Sequence, residues 1–221
     1  MARIGRRFPM AVSNPNTRVV YDSTGAGVQS TGLYGSSFSF THNISGNAVI
    51  LGMSVFWADA STNSPASVKI GTTTMSLLGT QQIASGGFWQ NGYIYGLINP
   101  PTGSQTVSFT LPTRNAVSAN SVSYNNVARF GTFVATTGNG TAISQTVNGI
   151  SGRNLVVNVL DKYTASGVSS YNQTQRYNPT AITGQNTQIV IGDAVGASSV
   201  TFSATLSSNV WASLAVPLIS C

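Results

Sequence analysis

Between Ser36 and His42 apolar and polar residues alternate at each step, with Phe38 and Phe40 on one side and Ser37, Ser39 and Thr41 on the other. A period of two is the mark of a strand with one face buried. The pattern thickens at Asn47–Trp57, where Val49, Leu51, Met53 and Val55 share one face and Ile50 and Phe56 the other. That density predicts a central strand covered on both sides. Further strands are predicted at Thr17–Asp22, Ser67–Ile70, Thr74–Leu78, Gly92–Leu97, Gln105–Leu111, Ser121–Tyr124 and Phe130–Thr136. Thr141–Val147, Asn154–Leu160, Gln188–Ile191, Ser199–Leu206 and Trp211–Ile219 complete the set. Strand starts roughly 8–14 residues apart suit a sandwich or jelly roll. No twelve-residue window carries a helical period.

Composition points the same way. Charged residues make up 6% of the 221 and glutamate is absent, whereas soluble helices carry Glu, Lys and Arg on their wet face. Ser, Thr and Asn, which fill the surface instead, compete for backbone hydrogen bonds and favour strand edges and turns. At 41% hydrophobic the chain can still bury a core. The expected fold is therefore all-β, a jelly-roll-like β-sandwich over residues 17–221. Residues 1–16, basic and interrupted by Pro9 and Pro15, read as an extended arm outside it. Asn99-Pro100-Pro101 reads as a rigid turn, and Ala84–Gly92, with Phe88 and Trp89, as a flexible loop presenting aromatics.

The inventory of reactive groups is thin. His42 is the single histidine, at what reads as a polar strand position, and the carboxylates are Asp22, Asp59, Asp161 and Asp193. A Ser-His-Asp triad would have to use His42, but a lone strand histidine is more often exposed or simply hydrogen-bonded. Metal sites need several His, Cys, Asp or Glu ligands. A glycosidase needs two carboxyl groups about one bond, which leaves chiefly Asp59 with Asp161. Cys221, the one cysteine, stands at the last position, and no intrachain disulfide can form. The residues present call for neither an enzyme nor a cofactor.

Binding is better supplied. Trp57, Tyr93, Tyr95 and Trp211 fall in strands and read as core, whereas Trp89, Tyr163, Tyr171 and Tyr177 fall in loop-like sequence and are the candidates for surface contacts, with a glycan or with a protein. Of the net charge of +6, Arg3, Arg6 and Arg7 lie in the first seven residues and the other cations are scattered. Scattered charges argue against a nucleic-acid surface. The opening ten residues lack the apolar stretch of a secretory signal, and no run approaches the ~18 apolar residues of a membrane span.

Four segments together carry a resemblance. They are Arg6-Arg7-Phe8-Pro9; Tyr21-Asp22 to Gly25-Ala26-Gly27 with Ser39-Phe40-Thr41-His42; Val68-Lys69-Ile70-Gly71-Thr72-Thr73-Thr74-Met75-Ser76-Leu77-Leu78-Gly79; and Leu97-Ile98-Asn99-Pro100-Pro101-Thr102-Gly103 leading to Val107-Ser108-Phe109. Over residues 5–135 the chain resembles a β-sandwich protein of virions of phages that infect mycobacteria and related actinobacteria, usually labelled minor tail protein. It departs from that pattern at Ile70-Gly71-Thr72-Thr73-Thr74, where such proteins typically read Tyr-Gly-Gly before the Met-Thr-Leu-Leu element. The resemblance implies a non-enzymatic component of a tailed-phage virion, assembled in the host cytoplasm among other tail or capsid subunits and as a homo-oligomer. Arg3, Arg6, Arg7 and Phe8 would belong to the arm that attaches it. Capsid decoration by the same fold, or binding of a host-envelope glycan, are the alternatives.

Overall fold

Ala48–Trp57 forms a strand in which all ten residues are buried. The other strands are arranged so as to cover it on both faces. The computed structural model describes residues 17–30, 36–57, 64–85, 88–112, 115–163, 167–180 and 187–221. Among these residues there is no helix, and the strands are paired antiparallel into three sheets. The all-β sandwich expected from the sequence is what forms, with one more layer than a two-sheet sandwich.

The central sheet contains β1 (Val20–Thr24), β2 (Val28–Gln29), β4 (Ala48–Trp57), β7 (Ser76–Ser85), β8 (Phe88–Ile98) and β10 (Asn115–Asn125), in the order β1-β10-β4-β8-β7 with β2 also paired to β10. On one side lies a four-stranded sheet of β3 (Ser37–Ile44), β5 (Ala66–Ile70), β6 (Thr73–Thr74) and β9 (Gly103–Thr110), ordered β3-β9-β5-β6. The opposite side is covered by a C-terminal sheet of β11 (Val127–Phe130), β12 (Val134–Asn148), β13 (Leu155–Tyr163), β14 (Val168–Ser169), β15 (Thr174–Tyr177), β16 (Thr187–Val195) and β17 (Ser199–Ser220). The chain thus builds two sheets up to Asn125 and the third from Val127. Asn126, at φ 64, makes the junction in the left-handed region that Asn tolerates.

Strand alternation divides β4 between two cores. Val49, Leu51, Met53, Val55 and Trp57 pack with Phe40, Ile44, Val107 and Phe109 of the four-stranded sheet. Ala48 and Ile50 pack with Val157, Val159, Ile189, Ile191 and Leu214 of the C-terminal sheet. Full burial of each Val, Leu or Ile stabilises by about 1.5–3 kcal/mol. Glycines let the central and C-terminal sheets approach. A Cβ on Gly52 would stand 2.8 Å from Val159 Cγ2, and one on Gly92 2.9 Å from Leu214 Cδ1. The sequence periods also place Trp57, Tyr93, Tyr95 and Trp211 in the core, and all four are buried.

Three strand expectations need correction. Phe130–Thr136 is broken, with β11 ending at Phe130 and β12 running from Val134 on through Thr141–Val147. Within Ala84–Gly92, expected as a flexible loop, residues 84–85 and 88–92 are strand: β7 and β8 pair up to Ser85 opposite Phe88, and Trp89 lies opposite Trp57. Trp89 there continues the strand pattern rather than interrupting it. Ser199–Leu206 and Trp211–Ile219 are not two strands but the single β17, which pairs with β12 along both halves. A register slip between Gly140 and Ala142 lets this ribbon bend. Its first half curls over the outer face of the C-terminal sheet, where Val147, Val200 and Phe202 pack with Val156 and Ala215. The basic arm, residues 1–16, lies outside the described residues.

Replacing Gly52 by Ala forces Val159 out of place between the two sheets, and the expected cost is about 1–3 kcal/mol. Urea unfolding of the variant measures it.

Candidate functional site

His42 sits on the buried side of β3, in step with Phe40 and Ile44, and is 1% exposed. It is therefore not at a polar, outward position, as the sequence reading placed it. Its Nδ1 lies 2.7 Å from Ser121 Oγ, and its Nε2 lies 3.0 Å from Ser23 Oγ and 3.2 Å from Ser123 Oγ. Ser123 donates to Asp22 Oδ2 at 2.7 Å and Ser23 to the Asn43 carbonyl at 2.6 Å. Both hydroxyl protons being committed, Nε2 carries the hydrogen and donates, and Nδ1 accepts from Ser121. Burial pushes the His42 pKa below its ordinary value, against the pull of Asp22. Asp22 also accepts from the Ser45 hydroxyl and from the Ser45 and Gly46 backbone N–H groups. Partial burial works to raise the Asp22 pKa, but these bonds and that from Ser123 outweigh it and hold it at about 2.

Asp22, His42 and the three serines around them resemble a triad with the wrong connections. The carboxylate reaches the imidazole through a hydroxyl rather than directly, and Ser121 is sealed from solvent. A triad needs its serine open to a substrate carbonyl. What the cluster does is join β3 of one sheet to β1 and β10 of the next.

The other face of the central sheet has its own polar contacts. Asp161, fully buried on β13, accepts from Ser54 at 2.5 Å and from Gln90, and Ser54 also bonds Thr187. Asp161 Oδ2 and Gln90 Oε1 are buried without a hydrogen-bond partner. Burial drives the Asp161 pKa up to about 7, against the lowering effect of the Ser54 and Gln90 bonds. Lys162, next along the strand and also buried, is brought down to about 8 by desolvation. Further round, Arg176 makes a two-pronged ion pair with Asp193 at 2.7 and 3.1 Å, and its guanidinium lies 3.9 Å from the Tyr21 ring centroid. Tyr124 donates to the same Asp193 at 3.0 Å. Asn158, Gln145 and Ser213 hydrogen-bond one another and hold the curled half of β12 to β13 and β17.

The residues singled out in the sequence are dispersed. Arg3, Arg6, Arg7 and Phe8, like Asp59, lie outside the described residues. Trp89 is half-buried against the core under the four-stranded sheet. Tyr163, at the end of β13, packs 5.9 Å from the Phe56 ring. Tyr171 leans into the core beneath the curled ribbon, with its hydroxyl buried. Tyr177 packs against the core between the central and C-terminal sheets, and burial raises its pKa to about 12. These four aromatics do not share a surface.

What does open to solvent is the outer face of the four-stranded sheet. There Ser37 pairs across the strands with Thr110, Ser39 with Ser108 and Thr41 with Thr106. A groove of about 450 Å³ is lined by Ser37, Ser39, Ser67, Lys69, Ser108 and Thr110, with Thr106, Phe38 and Phe109. Between Ala66 and Lys69 strand β5 carries one more residue than β9 opposite it. Ser67 in this bulge has φ 52, a left-handed conformation that costs a non-glycine residue about 1–3 kcal/mol. The alternation of Ser and Thr along β3 and β9 was legible in the sequence, but the bulge that shapes the groove was not. Among the described residues no cluster of three or more His, Cys, Asp or Glu can hold a metal. Comparison with known proteins finds no family model, no curated protein and no solved structure that matches the chain.

Asp161 supplies a pH test. Its folded pKa of about 7 lies above the ordinary 3.8. The unfolded chain therefore releases this proton first, and stability present below pH 4 is lost as pH rises towards 7. Asp161→Asn is expected to gain on the wild type by about 4 kcal/mol between pH 4 and pH 8, at about 1.4 kcal/mol per pH unit. Urea unfolding of both proteins across that range checks it, and a constant difference contradicts it.

Proposed function

We propose that the chain is a non-enzymatic structural component of a tailed-phage particle, stationed at the tail tip and attached through residues 1–16. The sequence resemblance of residues 5–135 carries this reading. The disposition of the polar groups supports it: His42, Asp22, Asp161, Asp193 and Arg176 all make contacts between sheets, the last two with Tyr124 and the Tyr21 ring. The scarcity of charge also suits close packing among many copies, since like-charged neighbours repel little. Capsid decoration by the same fold remains the second reading within this class, because the resemblance extends to proteins that decorate capsids.

Mass spectrometry and stained gels of purified particles test both. The expected result is co-purification at a copy number far below that of the major capsid protein; near-parity would assign the chain to the capsid surface instead. Deleting residues 2–10 is expected to remove the protein from particles while leaving its β-sheet circular dichroism intact. Its absence from particles formed by the intact chain would overturn the reading.

A further inference from the structure

The groove on the four-stranded sheet has no part in joining the sheets, yet it contains the least ordinary backbone on that surface. A bulge re-aims side chains and separates a strand from its neighbour. Here it falls between Ala66 and Lys69, with Ser67 strained into the left-handed region, and both Ser67 and Lys69 line the groove. Its volume of about 450 Å³ falls within the range of small-ligand sites, roughly 300–1,000 Å³.

The lining selects the chemistry. Ser37, Ser39, Ser67, Thr106, Ser108 and Thr110 present hydroxyls, each able to donate one hydrogen bond and accept two. That is the same mixed capacity that sugar hydroxyls have. Thr110 donates to the Ala66 carbonyl at 3.2 Å, and its oxygen still accepts. Phe38 and Phe109, stacked with ring centroids 5.4 Å apart, turn their rings the other way into the core, so the polar side chains alone face a ligand. Lys69 is the one charged residue in the lining, and no carboxylate among the described residues pairs with it. A lone cation among hydroxyls complements one acidic group per ligand. A nucleic acid, with a phosphate at each step, would call for several cations. An extended peptide adds to a sheet at its edge rather than on its face.

We propose that this groove binds an acidic polysaccharide, with Lys69 pairing its carboxylate or phosphate and the hydroxyls of Ser37, Ser39, Ser108 and Thr110 engaging its ring hydroxyls. The inference stands independently of the particle reading and does not use the loop-like aromatics.

The test is retention of the full-length chain on an array of oligosaccharides that includes uronate- and phosphate-bearing members and their neutral counterparts. Retention on acidic members is expected, with at least a tenfold loss of affinity in Lys69→Gln. Ser39→Trp, which fills the groove from an exposed position, is expected to abolish binding. Thr41→Trp, exposed on the same strand but outside the lining, is expected to leave it unchanged. Thermal melting confirms that each variant is folded; Lys69→Gln alone decides the matter if a tryptophan variant is not. Retention on no member would overturn the proposal. Equal retention on acidic and neutral members, unaltered by Lys69→Gln, would do so too, as would undiminished binding by folded Ser39→Trp.

Discussion

Burial of the central sheet on both faces is the constraint from which the other features follow. A strand such as β4 can be apolar at nearly every position only if something covers each side. The four-stranded sheet answers one face and the C-terminal sheet the other. Where the second cover comes closest, at Gly52 and Gly92, there is no space for a Cβ. The C-terminal sheet then has an outer face of its own, and the bend in β12 and β17 folds part of the same ribbon back across it. Each layer exists because the one beneath it has a second apolar face.

A layered protein with 6% charged residues, against roughly 25% in a typical domain, cannot rely on surface ion pairs, and its polar contacts are placed between layers instead. Asp22 and His42 tie the first interface together, and Asp161, Tyr124, Asp193 and Arg176 span the second. Buried polar groups are costly unless they are satisfied, so they favour one register of sheet against sheet. Asp161 and Gln90 are exceptions, each with an oxygen that finds no partner. For Asp161 the cost shows in a raised pKa. This use of the few titratable residues leaves the outer surface to hydroxyls and amides, as on the face that holds the groove.

Much of the fold was legible in the sequence, and the missing parts have physical reasons. Residues 47–57 announced a strand covered on both sides because apolar side chains fill both of its phases. Alternation cannot say what covers a face, so the third sheet and the curl of β17 were invisible. His42 was misplaced although the signal was present: it shares the even positions of β3 with Phe38 and Phe40, and parity alone puts it inside. Its partners Ser23, Ser121 and Ser123 could not be picked out among so many serines. Arg176 and Asp193 lie on short, polar β15 and on β16, and the bidentate geometry joining them left no trace in local pattern. Ser67 was equally silent, since nothing in Ala66-Ser67-Val68 distinguishes a bulge from a regular strand.

Native-state hydrogen exchange tests the layered account most directly. If the doubly covered sheet is the foundation, the amides of Val49–Val55 on β4, with their neighbours on β8 and β10, exchange slowest and only through global unfolding. The outer half of the β12–β17 ribbon, covered on one face, exchanges sooner through local opening. Central-sheet amides that exchanged as fast as those of Ile143 to Val147 would contradict it.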